Sequence, residues 1–189
     1  MDAGRDALTF EGASQPLRRG GGYRRAGKGD MAATYPIAVP DGALADAALA
    51  DAALADAFRA ARDLTVALAA PLSEADATVQ SMDDASPAKW HLAHVTWFFE
   101  TFVLRDHVAG HRPYDPRFAY LFNSYYEAEG ARHARSRRGM LTRPSLAEIL
   151  AWRAHVDTAL VAAIPGLPAG VRDLVTLGIH HEQQHQELL

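Results

Sequence analysis

From residue 86 onward, apolar side chains recur at the three-to-four spacing of an amphipathic helix, and no segment alternates one by one as a half-buried strand would. Ser86-Pro87 reads as a helix start, a capping side chain followed by proline at the first helical position, with no breaker before Gly110. Within that stretch Trp90, Ala93, His94, Trp97, Phe98 and Thr101 share one face, which turns His94 toward the core. Ser145-Leu146-Ala147-Glu148 is a capping box, and Ile149, Leu150, Val156 and Leu160 carry the next helix to Ile164-Pro165-Gly166. A last helix follows Pro168, with Val171, Leu174, Gly178, His181, His185 and Leu188 on a single face. Gly178 lies about one turn before His181 and leaves room for a neighbouring helix or ligand. Upstream, packing is expected to begin at Phe58, continue through Leu64 and Leu68, and stop before Pro71. Four such segments predict an all-α protein, an antiparallel four-helix bundle.

The long crossover of this bundle is residues 111–144, which hold Pro113, Pro116, Gly130, Gly139 and Pro144 and show little periodicity. With Phe118, Tyr120, Phe122, Tyr125 and Tyr126 it is too aromatic for a disordered segment, and connections of this length in compact domains are usually functional. At the other end, Ala-Leu-Ala-Asp-Ala and its variants repeat over 43–57. Leucines five residues apart advance about 140° each time and cannot form one stripe, so 41–57 reads as a low-complexity helical lead-in. Residues 1–40, rich in glycine and arginine, read as a disordered tail, or as an arm for an anionic partner. The bundle proper is then 58–189.

Composition narrows the function classes. The 49% hydrophobic content suffices for a core, although much of it is alanine, which buries little area. A net charge of −4 argues against nonspecific nucleic-acid binding. No apolar run approaches the roughly 20 residues of a membrane span, and no signal-peptide core is visible. A cytoplasmic protein with no membrane or nucleic-acid partner is expected. Without cysteine, disulfides and thiolate ligands are excluded, and any thiol chemistry must use a substrate thiol.

His181-Glu182-Gln183-Gln184-His185 places two imidazoles four positions apart, one above the other on a helix. Such a pair can share one metal ion at about 2.0–2.2 Å and needs a third ligand. His94 is the best candidate. Alone on an apolar face it would read as a hydrogen-bonded core histidine; beside an inward-facing pair it reads as a ligand. Three imidazoles suit zinc, copper, iron and nickel alike. The string also fits the H-E-x-x-H pattern of zinc proteases, with Glu182 as general base, but that pattern takes a third ligand from downstream, where only four residues follow. The run Arg132-His133-Ala134-Arg135-Ser136-Arg137-Arg138 is either a solvated charge run or a carboxylate clamp.

The strings WHLAHVTWFFE (90–100), YLFNSYYEAEGARHARSRRGML (120–141) and LGIHHEQQHQELL (177–189) resemble the N-terminal DinB-like domain of ergothioneine-biosynthesis sulfoxide synthases, over roughly residues 80–189. The resemblance implies a DinB-like bundle and an iron(II) enzyme, with Fe(2+) held by His94, His181 and His185. Such an enzyme uses O2 to join the sulfur of γ-glutamylcysteine or cysteine to the imidazole of hercynine. It further implies that Arg135 and Arg138 hold the thiol substrate's carboxylates and that Gln184 lies near the hercynine ring. His91, His180 and Glu182 receive no ligand role.

Members of that family continue into a second domain, similar to formylglycine-generating enzymes, which completes the pocket and supplies a tyrosine. The chain ends at Leu189, so a C-terminally truncated half is expected, with no catalytic side chain of its own and inactive unless a separate polypeptide supplies the rest. Two other functions fit the same residues: a DinB-like zinc or nickel thiol transferase, and a bundle that binds metal or a partner without turnover.

Overall fold

In the computed structural model, which describes residues 41–189, the helix beginning after Pro87 is the axis around which the others pack. The order is α1 (Asp41–Ala69), a short α2 (Glu74–Thr78), α3 (Ala88–Phe99), a short α4 (Phe118–Phe122), α5 (Leu146–Ala163) and α6 (Ala169–Gln186). The end of α3 runs on as a π-helical segment, Glu100–Arg105, and 3₁₀ turns lie at Glu127–Glu129, Arg135–Met140 and Ile164–Gly166. No strand occurs among the described residues, and the four long helices form an all-α bundle. The tail expected over 1–40 lies outside the described residues. No described helix is long and apolar enough to cross a membrane.

Every residue of α3 from Lys89 to Phe99 is buried, and the helix touches α1, α2, α4, α5 and α6. Neighbours therefore cover it on all sides, as happens with helices that are apolar all round. The six residues expected on its inward face are buried, and so are His91, Leu92, Val95, Thr96 and Phe99 from its other faces. Its start differs from expectation: Pro87 is the N-cap and no side chain caps the helix. The Ser86 hydroxyl instead accepts a hydrogen bond from Arg138 Nη1 at 2.8 Å. The capping box at Ser145 and Glu148 is present in both directions, at 3.2 and 2.7 Å.

The helices do not all run antiparallel. Along α1 and α6, Asp51 meets Arg172, Arg62 meets Glu182 and Thr65 meets Gln186, so the two ascend together. Against α3 the order reverses, with Phe98 beside His181 and His91 beside His185. Only the 3₁₀ turn Ile164–Gly166 joins α5 to α6, so α5 runs opposite to α6 and in the same sense as α3. A connection as long as 111–144 makes that possible, because it can return to the starting end of the bundle where a tight turn cannot.

α1 corrects a second expectation. Its buried stripe is Ala55, Phe58, Ala61, Arg62, Thr65 and Ala69, whereas Leu64 and Leu68 are 50% and 45% exposed. Arg62 and Thr65 stand within about 40° of Phe58 around the helix, and Leu64 and Leu68 stand roughly 240° and 280° away. The lead-in expected over 41–57 is continuous with this helix, and packing already begins within it, at Asp51, Leu54 and Ala55.

At Gly178, α6 packs directly against the Phe98 and Phe99 rings of α3. A Cβ there would clash with the edge of the Phe99 ring, 2.8 Å from its Cζ, and lie 2.9 Å from Phe98 Cε1, so the room belongs to the neighbouring helix. Gly178→Ala is expected to push the helices apart and destabilise the protein by about 1–3 kcal/mol, the usual cost of overpacking, read as a lower urea midpoint at unchanged slope.

Candidate metal centre

His94 projects from the middle of α3, and His181 and His185 from successive turns of α6. One ring nitrogen from each lies within 4.8 Å of the other two. An ion about 2.1 Å from three nitrogens needs them roughly 3–4 Å apart, which small ring rotations supply. Histidines from two helices far apart in the chain therefore come together in one cluster.

The supporting contacts fix how each ring is presented. His94 Nδ1 lies 2.6 Å from the Phe122 carbonyl oxygen, which can only accept, so Nδ1 carries the proton and Nε2 faces the cluster with a free lone pair. The His94 ring is stacked between Trp90 (4.6 Å, 13°) and Trp97 (5.6 Å, 14°), which prevents it from flipping. His185 Nδ1 pairs with His91 Nδ1 at 2.7 Å, so one of the two donates. His181 Nδ1 is buried with no hydrogen-bond partner, a state that a coordinated ion would relieve.

Electrostatics keep the rings neutral. Burial, then the neighbouring imidazoles, holds His94 well below its ordinary value. Burial lowers His181 to about 4, and burial with His181 and His91 nearby lowers His185 to about 3. Neutral imidazole is the form that binds metal. The residues present thus fit a divalent cation: three nitrogen donors, no carboxylate among them, and one side open.

That open side is a cavity of about 350 Å³ lined by all three histidines and by Arg135, Arg138 and Gln184, so all six residues singled out from the sequence face one space. Arg138 is buried, with its guanidinium 3.4 Å over the Trp90 ring and its Nη atoms donating to Ser86 Oγ and Ser124 Oγ at 2.8 and 3.2 Å. Burial, then Arg135, lowers its pKa to about 10. Its Nε has no partner. Arg135 is exposed at the mouth and donates to Tyr125 Oη at 2.6 Å; Gln184 is exposed beside it. His180 points outward and bonds Gln183 at 3.0 Å.

Glu182 is not at the cavity. Its carboxylate is fully buried on an adjacent face of α6, turned away from the cavity, where Arg62, Arg153 and Thr65 donate to it at 2.9, 2.8 and 2.7 Å. Both arginines hold it at about 2, against the effect of burial. It cannot act as a general base at the histidines, and the zinc-protease reading of H-E-x-x-H is removed.

Sequence reasoning missed Ser124 and Tyr126 in the lining and His91 as a partner of His185. The W-H dipeptide three residues before His94 was the available signal for His91.

Comparison with known families agrees with this architecture. The DinB superfamily profile matches residues 57–189, and the chain belongs to that superfamily. No curated protein matches the chain.

Proposed function

We propose that this bundle is the iron(II)-binding part of an ergothioneine-type sulfoxide synthase, which uses O2 to form a C–S bond between γ-glutamylcysteine or cysteine and hercynine. The observation that carries the reading is the shared cavity: three neutral imidazoles at its base and two guanidinium groups, Arg135 and Arg138, on its wall. The three sequence strings at 90–100, 120–141 and 177–189 supply just these residues. A substrate that is both thiol and carboxylate fits such a wall and base. A thiol substrate also suits the reducing cytoplasm.

Iron(II), when bound by His94, His181 and His185, supplies a divalent charge that favours the substrate as thiolate, and one-electron chemistry toward O2. The chain's own residues do the rest of the positioning. Arg135 is free to leave the Tyr125 hydroxyl and take a carboxylate in bidentate fashion, while Arg138, fixed by Ser86, Ser124 and Trp90, contributes a positive charge from the cavity wall. Trp90 and Trp97 exclude water behind His94. Gln184, at the mouth, orients the hercynine ring. The exposed rim at Tyr125 and Gln184 is where a formylglycine-generating-enzyme-like domain, in the same or a separate polypeptide, covers the substrates.

Anaerobic reconstitution with iron(II) followed by γ-glutamylcysteine tests the reading. An iron-dependent spectral change on adding the thiol is expected, and Arg135→Ala should weaken that titration roughly tenfold without removing the metal, the loss of one charged hydrogen-bonding partner. Zinc retained through iron reconstitution, with no thiol-dependent change in iron protein, would favour a zinc-dependent thiol transferase instead.

A further inference from the structure

The three imidazoles belong to two helices, which beside the cluster are joined by the hydrogen bond between His91 and His185. Behind the cluster lies a larger buried polar assembly that spans the same two helices. Arg62 of α1, 2% exposed, donates from Nη1 to Glu182 Oε2 at 2.9 Å, from Nη2 to Thr96 Oγ1 at 3.0 Å and from Nε to Asp157 Oδ1 at 2.7 Å. Arg153 of α5 donates from Nη2 to Glu182 Oε1 at 2.8 Å and to the Arg62 carbonyl at 3.2 Å. Its Nη1 reaches the Leu92 carbonyl at 3.1 Å and Thr96 Oγ1 at 3.3 Å. Glu182 follows His181 directly, while Leu92 and Thr96 flank His94 by two positions on either side. Each guanidinium thus bridges the two ligand-bearing helices. One turn further along α6, Gln186 Nε2 donates to the Ala61 carbonyl and to Thr65 Oγ1, both at 2.9 Å.

We propose that Arg62, Arg153 and Glu182 form a brace that holds α3 and α6 at the separation and rotation a metal ion requires. They are positioning residues, touching neither ion nor substrate. The inference rests on reading His94, His181 and His185 as ligands. Stability does not account for the assembly, because a buried ion triad is commonly no more stable than well-packed apolar residues of the same volume. Directional bonds do something apolar packing does not: they fix rotation. With ring nitrogens roughly 6 Å from the helix axis, turning α6 by about 20° moves them by about 2 Å. Metal–ligand distances tolerate only about 0.2 Å. Glu182 stands about 60° from His185 and 100° from His181 around the helix, so a rotation that releases it swings both rings.

Cobalt(II) is a suitable probe, since its visible bands report ligand geometry without turnover. In the full chain, the apolar triple variant Arg62→Met, Arg153→Met, Glu182→Leu is expected to keep its helical circular dichroism and a Tm at or above wild type. It should bind cobalt about 10–100-fold more weakly, with shifted bands, as when outer-shell support of a metal site is removed. Should that variant not fold, Thr96→Val removes the acceptor both guanidiniums share on α3 while leaving the charge triad intact, and the same band shift and weakening are expected. Wild-type affinity and bands in a folded triple variant, or in Thr96→Val, overturn the brace while leaving the ligand reading intact. Wild-type protein that binds no cobalt, or His94→Ala that binds it as tightly as wild type, overturns the ligand reading and the brace with it.

Discussion

Replacing His94, His181 or His185 with alanine is expected to lower iron(II) affinity by more than the roughly 10–100-fold that outer-shell partners cost, because each removes one of three donors in a site without carboxylates. Competition against a chromophoric chelator under anaerobic conditions measures it. His180→Ala should leave affinity unchanged, since that ring faces solvent and bonds only Gln183. His91→Ala should fall between, with a loss of about tenfold, because His91 Nδ1 lies 2.7 Å from His185 Nδ1 and helps orient it. Equal losses in all five variants would refute the assignment.

Glu182→Ala should destabilise the metal-free protein by about 3–5 kcal/mol, the cost of leaving buried charges without their partner, here Arg62 and Arg153 at 2% exposure. Urea unfolding at neutral pH measures this, and a change within experimental error would mean that water enters the site and replaces the carboxylate. The same residue shapes acid stability. Its folded pKa of about 2 lies below the ordinary 4.5, so its contribution is complete above about pH 4.5 and is lost as pH falls toward 2. His181 and His185, lowered to about 4 and about 3, act in the same direction from a higher pH. Below about 6.5 the unfolded chain takes up protons that the folded rings refuse, and stability declines. The stability of wild type against unfolding should therefore fall from about pH 6.5 downward and more steeply below 4.5. Glu182→Gln should make the lower limb shallower, leaving the share of Glu148 and the other carboxylates whose pKa is lowered; a profile identical to wild type would contradict a contribution from Glu182.

How legible this was in the sequence differs from one residue to the next. The histidine pair was legible because i and i+4 positions on a helix are neighbours whatever surrounds them. The capping box at Ser145 was legible for the same reason, as it closes within one turn. Ser86 looked equally local and was not: its hydroxyl goes to Arg138, 52 residues away. Leu64 and Leu68 were expected inside because they are leucines, yet α1 is turned by Arg62, which reaches Glu182 120 residues later and brings a charged stripe inward. No apolar pattern announces an arginine that is buried only because its partner is.

From the order of its residues alone, this chain is committed to helices, to a long aromatic crossover and to two imidazoles on one helical face, since each depends on contacts within a few positions or on side-chain period. Only the tertiary structure decided that α1 and α6 ascend together, that His94 meets the later pair, and that Glu182 faces two arginines rather than the cavity. Those outcomes depend on how helices far apart in the chain are rotated against one another. Rotation is settled by buried polar partners 29 to 120 positions away, a range over which neither period nor propensity carries information.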